Sequence, residues 1–428
     1  MAKIKDTYEN LEICMSILQP QLENLSSLVW DGQKVVLFLF GDYDFLSKLY
    51  GLSGAQGMFP CLWCLVPKSH MRMAQKKEPP QRYLASIRRD FSHFQKYGKG
   101  DKKNLSRYHN CLHLPLVNIE PFQCAPPYLH ILLGIVLKHR RMLEETTHKI
   151  DMQIAAALDT DFTEIAESVY SYGKNWTRAE QIKEKINFLQ NCVILSSSDE
   201  ERQNFEKDLS SAEQALTEVD FEPLSPRSGP VCSQLDTILD KHNITPQSYH
   251  SRSFIGNHCH KYITAKVYRE FTSYIIRRAQ ERTCKQGILD MAFALRDTFN
   301  ELNDAYRDIH NLISHSRPID FDTIPTIQTC INKYMTFYRK NFKQNVTPKQ
   351  HILEKHCIPW MKKYGFGMAF HSEQGGELIH TSVAKLERRA AAIRNKETHL
   401  KTILKSQHMQ TSTQLLSSAP PIKKRKAK

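Results

Sequence analysis

Gln33-Lys-Val-Val-Leu-Phe-Leu-Phe-Gly-Asp42 is the stretch on which the reading of the fold turns. From Val35 to Phe40 it is unbroken β-branched, aliphatic or aromatic sequence, the composition of a strand buried on both faces. Gly41 ends the run and Asp42 follows it. A strand of that kind fixes the acid at its tip while the strand end leaves it open to solvent, so Asp42 is the first candidate functional residue. Upstream, Leu11, Met15, Ile17, Leu18, Leu22 and Leu25 recur at helical spacing over residues 7–28, with Pro20 as an expected kink. Downstream come a short helix over residues 43–50 and a glycine-rich turn over 51–57.

That turn leads into Cys61-Leu-Trp-Cys64, a spacing that lets two thiolates grip one tetrahedral ion. A second pair, His351 and His356, follows Cys64 after 286 intervening residues. Thr347-Pro348 just before it reads as an N-cap with proline at the first helical position, so His351 falls early in a helix. Together the pairs supply the ligands of a Cys2His2 site. Taken singly, the cysteines could equally be a redox dithiol or two core residues, and the histidines could face solvent.

Charge narrows the partner. The chain has 59 Lys and Arg against 45 Asp and Glu, a net +14 that points to a polyanion. From Lys385 to Lys428 there are twelve basic residues and two acids, ending in the import-like cluster Lys423-Lys-Arg-Lys426. Residues 67–110 place Arg88, Arg89, Lys96, Lys99, Lys102 and Lys103 among Phe91, Phe94 and Tyr97. That mixture suits a nucleic-acid surface and equally a solvated irregular loop. Eleven cysteines without scaffold spacing, and a polar, charged opening over residues 1–10, lead us to expect a reducing intracellular setting. No apolar run is long enough to span a bilayer.

Residues 140–345 are mostly helical in pattern, broken at 196–201 and 223–230, and periodicity fades from residue 407. The expected divisions are 1–66, 67–139, 140–346, 347–406 and 407–428. Two further acids complete the inventory: Glu373 and Glu377 are four apart and share a face if a helix runs through them. His258-Cys259-His260 is either a second metal site or, as we expect, a packed turn, because adjacent ligands crowd one tetrahedral ion.

With these motifs in view, Gly41-Asp42, Gly51-Leu-Ser-Gly54 and Pro60-Cys61-Leu-Trp-Cys64 resemble a segment of the recombination-activating recombinase and its Transib transposase relatives. In that family the second catalytic Asp precedes the first zinc cysteine by nineteen residues, and Asp42 stands nineteen before Cys61. Ile119-Glu-Pro with Leu129-His130-Ile-Leu-Leu-Gly134 resembles its Leu-His helix, and Ser372-Glu373-Gln-Gly-Gly-Glu377 its third acidic segment. The likeness covers roughly residues 33–66, 117–138 and 348–390 and is one of motifs.

The resemblance implies a mainly α protein with a partial RNase H-like α/β core and a helical insertion between the second and third acidic segments. It implies structural zinc on Cys61, Cys64, His351 and His356. Asp42 and Glu377, with Glu373 as fallback, would hold Mg2+ or Mn2+ in the ancestral site, and His130 would orient the scissile phosphate. It also implies DNA as partner, a homodimer as a further expectation, and a nuclear location. One departure matters. The family's first catalytic Asp ends the first strand of its core, and here neither Asp6 nor Asp31 ends an apolar run. The expectation is therefore the C-terminal part of a transposase, DNA-binding and inactive alone. The alternatives are a non-catalytic nuclear zinc-containing interaction protein and, less well matched to the charge, a redox protein.

Overall fold

The computed structural model describes residues 7–73, 78–157, 178–196, 198–217, 231–232, 235–247, 253–372 and 374–412. It is mainly helical, and its one described sheet has two strands. Contacts divide the chain into two units, Met1–Leu129 with Met368–Lys428, and His130–Gly367.

The first unit opens with helix α1 (Tyr8–Ser26), capped by Thr7, whose hydroxyl accepts from the Asn10 amide at 3.4 Å. Pro20 lies inside it and Met15 is its one buried residue. Strands β1 (Val29–Trp30) and β2 (Gln33–Lys34) pair antiparallel through Asp31-Gly32. Both turn residues have positive φ, 49° and 74°, which is the two-residue hairpin geometry that Asp-Gly favours.

The expected buried strand over Gln33–Phe40 is not formed along its length. Beyond Lys34, Leu39 makes an isolated parallel bridge to Cys124, while Val36 and Phe40 are more than half exposed. Strand composition supplies propensity, but a strand is held by neighbours on both edges, and beyond Lys34 the described backbone pairing of this run is the Val35 amide on the Leu28 carbonyl at 3.0 Å and the bridge at Leu39. Helix α2 (Tyr43–Leu49) follows. Gly51 then adopts φ 67°, and its carbonyl accepts from the Leu112 and His113 amides at 2.8 and 2.9 Å. A Cβ there would stand 2.2 Å from the His113 oxygen, so only glycine fits.

Where the sequence leaves a basic surface or loop, helix α3 (Leu84–Lys96) forms, followed by a 3-10 helix over Lys102–Tyr108. Leu84, Ile87 and Phe94 face the interior of the unit.

The second unit is built from helices among its described residues, with one isolated bridge between Pro318 and Phe366: α4 (Tyr128–Ala157), α5 (Arg178–Leu195), α6 (Asp199–Thr217), α7 (Leu235–Lys241), α8 (Gly256–Tyr262), α9 (Ala265–Arg282), α10 (Gln286–Ile313), α11 (Ile324–Asn341), α12 (Pro348–Lys355) and α13 (Cys357–Tyr364). Helix α5 packs on α6, α9 on α10 and α10 on α11. The core is organised around polar groups as well as apolar ones. His139 on α4 bonds Asn303 of α10 at 3.1 Å and the Tyr334 hydroxyl of α11 at 2.9 Å. Asp151 accepts the Val231 and Cys232 amides at 2.8 and 2.9 Å.

The chain then re-enters the first unit with α14 (Gln374–Arg389) and α15 (Lys396–Thr411), which pack around Leu386, Ala390 and Ile403. Periodic structure thus continues past residue 407 as far as Thr411, and the basic cluster at 423–428 lies outside the described residues. No described helix is long and apolar enough to cross a membrane.

Candidate metal centre

The cysteine pair sits on a loop held by backbone bonds and one buried guanidinium. Arg82 N–H donates to the Trp63 carbonyl at 2.9 Å and Leu65 N–H to the Pro80 carbonyl at 2.9 Å, and Cys64 bridges Gln81. The Arg82 side chain is 1% exposed. Its Nε donates to the Cys61 carbonyl at 3.2 Å, and its terminal nitrogens donate to the His109 and Phe59 carbonyls at 3.1 and 3.4 Å. The far side of that brace is fixed in turn, because His109 Nδ1 meets buried Asp90 at 2.8 Å. Burial alone would raise the Asp90 carboxyl, but the His109 hydrogen bond and the His109 and Arg89 charges outweigh it and hold the carboxyl below its usual range. Between the cysteines, Trp63 Nε1 donates to the Cys124 carbonyl at 3.0 Å.

The histidine pair is placed by a different set of contacts. Thr347 caps α12, its hydroxyl accepting from the Gln350 amide at 3.3 Å while the Gln350 side chain accepts from the Thr347 amide at 3.0 Å. This reciprocal box satisfies two amides that a helix start leaves unpaired. Buried Gln350 also donates to the Tyr334 hydroxyl at 3.0 Å, which ties the box to His139. Arg339 of α11 clamps Glu354 through two bonds of 2.8 and 2.7 Å. With Gln350 and Glu354 both anchored, His351 is fixed between them.

The ligand atoms of Cys61, Cys64, His351 and His356 all lie within 4.8 Å of one another. His351 Nε2 and His356 Nε2 stand 3.3 Å apart, with their rings at 75°. Two imidazole nitrogens bound to one tetrahedral zinc at about 2.0–2.1 Å are separated by roughly 3.3–3.4 Å, so the two rings are already spaced as ligands. The thiols are buried. The Cys61 hydrogen bond, then burial, hold the Cys64 thiol well above the ordinary thiol range, so binding must displace protons. The donor set, two soft thiolates and two imidazoles, matches structural zinc chemistry. The four residues could bind a metal such as zinc.

The candidate acids are placed differently. Asp42 is the N-cap of α2, with Oδ1 accepting from the Phe45 amide at 2.7 Å. Its position follows from starting a helix rather than from ending a strand. Glu377 lies on α14, but its side chain, like all of Glu373, falls outside the described residues. Asp31 is a hairpin-turn residue, and Asp6 is also outside the described residues. His130 is partly buried in the first turn of α4.

The His258-Cys259-His260 residues diverge. His258 bonds the Thr245 backbone, Cys259 is buried, and His260 Nδ1 meets His310 Nε2 at 2.8 Å. The three residues are packed as expected, but in helix α8 and not in a turn. The sequence reading misses Arg82 and Gln350, because nothing local marks a buried arginine as a brace or a glutamine as both cap and core donor. No family model matches the chain, and no curated protein matches it significantly.

Proposed function

We propose that the chain is a transposase-derived DNA-binding protein, resembling the C-terminal part of a metal-dependent DDE recombinase, with zinc as a structural ion on Cys61, Cys64, His351 and His356. The observation that carries this reading is the four-ligand cluster. A C-x2-C pair and an H-x4-H pair separated by 286 residues have no local reason to converge; the resemblance supplies one. The net charge of +14 supports DNA as the partner.

Cleavage by this chain alone is not part of the proposal. Two-metal phosphodiester chemistry needs carboxylates clamping both ions. Asp42 and Glu377, or Glu373, are the candidates, and no third acid stands at the end of an apolar run. In this reading Mg2+ or Mn2+ belongs to the ancestral site, the RNase H-like core is present only in part, and the location is nuclear. Supercoiled DNA incubated with the purified chain and Mn2+ should stay intact. Nicking that vanishes in Asp42→Asn would overturn the inactivity.

One observation favours the alternative of a non-catalytic interaction protein. Ile13, Ile17, Leu18 and Leu25 on α1 and Val29 and Trp30 on the hairpin are exposed, Trp30 by 81%. Exposed apolar side chains on this scale mark contact surfaces. Zinc-loaded protein with no affinity for DNA at low salt would favour that alternative.

A further inference from the structure

We infer that the outer face of α3, with the 3-10 helix after it, is a docking surface for the phosphate backbone of duplex DNA. The inference rests on the DNA-binding reading above and locates the contact in a folded element, away from the basic C-terminal stretch. At 100° per residue, Leu84, Ile87 and Phe94 form one side of α3, and Arg88, Arg89, Ser92 and Lys96 form the other. The burial follows this division: the first three are buried and the last four exposed. Lys99, Lys102, Lys103 and Arg107 continue the exposed basic surface beyond the helix.

Two acids occur between Leu84 and Arg107, and neither neutralises that face strongly. Asp90 points inward to His109 at 2.8 Å, and its contact with Arg89 is long, at 3.5 Å. Asp101 caps the 3-10 helix, accepting from the Lys103 amide at 3.0 Å. Seven cations against two acids leave a net +5 over these 24 residues.

The shape of the face selects among polyanions. From Arg88 to Lys96 it runs about 12 Å, the length over which a duplex presents roughly seven charges. A membrane-surface helix needs its apolar side chains turned outward to enter lipid, whereas those of α3 are turned into the unit. Beside the cations, the exposed side chains include Ser92, His93, Gln95, Asp101 and the ring of Tyr97, which is 63% exposed and beneath the Lys96 ammonium at 5.2 Å. Phosphate contacts of this kind position a protein and do not read sequence.

The test is fluorescence anisotropy on a labelled duplex of arbitrary sequence across a salt series. It compares the full chain, the triple variant Lys96→Ala/Lys103→Ala/Arg107→Ala, and a control triple with the same charge loss, Lys333→Ala/Lys343→Ala/Lys362→Ala, exposed in the second unit. All six positions are exposed, so melting temperatures should be unaltered. Losing three phosphate contacts should flatten the slope of log affinity against log salt by about 2 to 3, and weaken binding roughly tenfold or more at 0.1 M salt. The control triple should change neither by more than its small contribution to net charge. If the α3 variant keeps the wild-type slope, or the control loses as much, the surface assignment is wrong while DNA binding stands. If the unaltered chain binds an RNA duplex or anionic vesicles and not duplex DNA, both the surface assignment and the reading beneath it fall.

Discussion

Arg82 offers the sharpest test of how the cysteine loop is held. Replacing it with Met keeps most of the buried stem but removes every donor that reaches the Cys61, His109 and Phe59 carbonyls. Hydrogen bonds from a charged group contribute about 1.5–3 kcal/mol each. The bonds of 3.2 and 3.1 Å count in full and the one of 3.4 Å counts for little, which gives about 3–6 kcal/mol. Against that, a buried guanidinium carries a desolvation penalty that the methionine does not. The lower end, about 3 kcal/mol, is the expected loss. For a unit of this size it corresponds to a fall in melting temperature of roughly 6–12 °C. Supporting groups around metal ligands typically alter affinity by about 10- to 100-fold, so chelator competition should show zinc held that much more weakly. Arg82→Lys, which can still reach one carbonyl, should lie between. Zinc affinity within twofold of the unaltered chain and an unaltered melt would refute the brace.

Other consequences concern the second unit. His139 and His148 on α4 are buried, and burial lowers them to about 3 and about 4. The native state therefore refuses protons that the unfolded chain accepts below about pH 6.5, and stability present above that pH is lost as pH falls. Asp151 opposes this: burial, only partly offset by the Cys232 and Val231 amides, raises it to about 6, so it regains a proton early. Burial, then the His260 charge, likewise lowers His310 on α10 to about 4. Between pH 7.5 and 5 the three histidines remove about 2 kcal/mol each and Asp151 returns about 1, a net loss of roughly 5 kcal/mol; urea unfolding of equal midpoint at both pH values would contradict it. Gln350→Leu should destabilise by about 2–3 kcal/mol, since it removes the side-chain half of the α12 capping box and leaves the buried Tyr334 hydroxyl with one partner fewer. It should also weaken zinc binding by displacing His351, and Gln350→Glu, which keeps the cap acceptor, should restore part of both.

What the sequence made legible was what is local. Thr347-Pro348 announces the start of α12 because capping and proline geometry act within one turn. The helical middle is legible for the same reason, since an amphipathic repeat needs no knowledge of partners. The run Val35–Phe40 misleads because its composition states a preference for strand and says nothing of whether neighbouring strands are there to pair with it. On that account the sequence places Asp42 at a strand end, and the structure makes it a helix cap. Helix α3 could have been found: Leu84, Ile87 and Phe94 already have helical spacing, hidden among the charges of its outer face. The convergence of Cys61 and Cys64 with His351 and His356 was accessible only through resemblance, since no spacing rule links residues so far apart in sequence.

The central claim is that those four side chains form one metal site. Its most direct test is the metal content of the purified chain, measured by elemental analysis beside Cys61→Ser and His356→Ala variants. About one zinc per chain is expected for a Cys2His2 site, lost or sharply reduced in each variant. A chain without zinc after purification and zinc supplementation, or variants that keep the full complement, would contradict the claim.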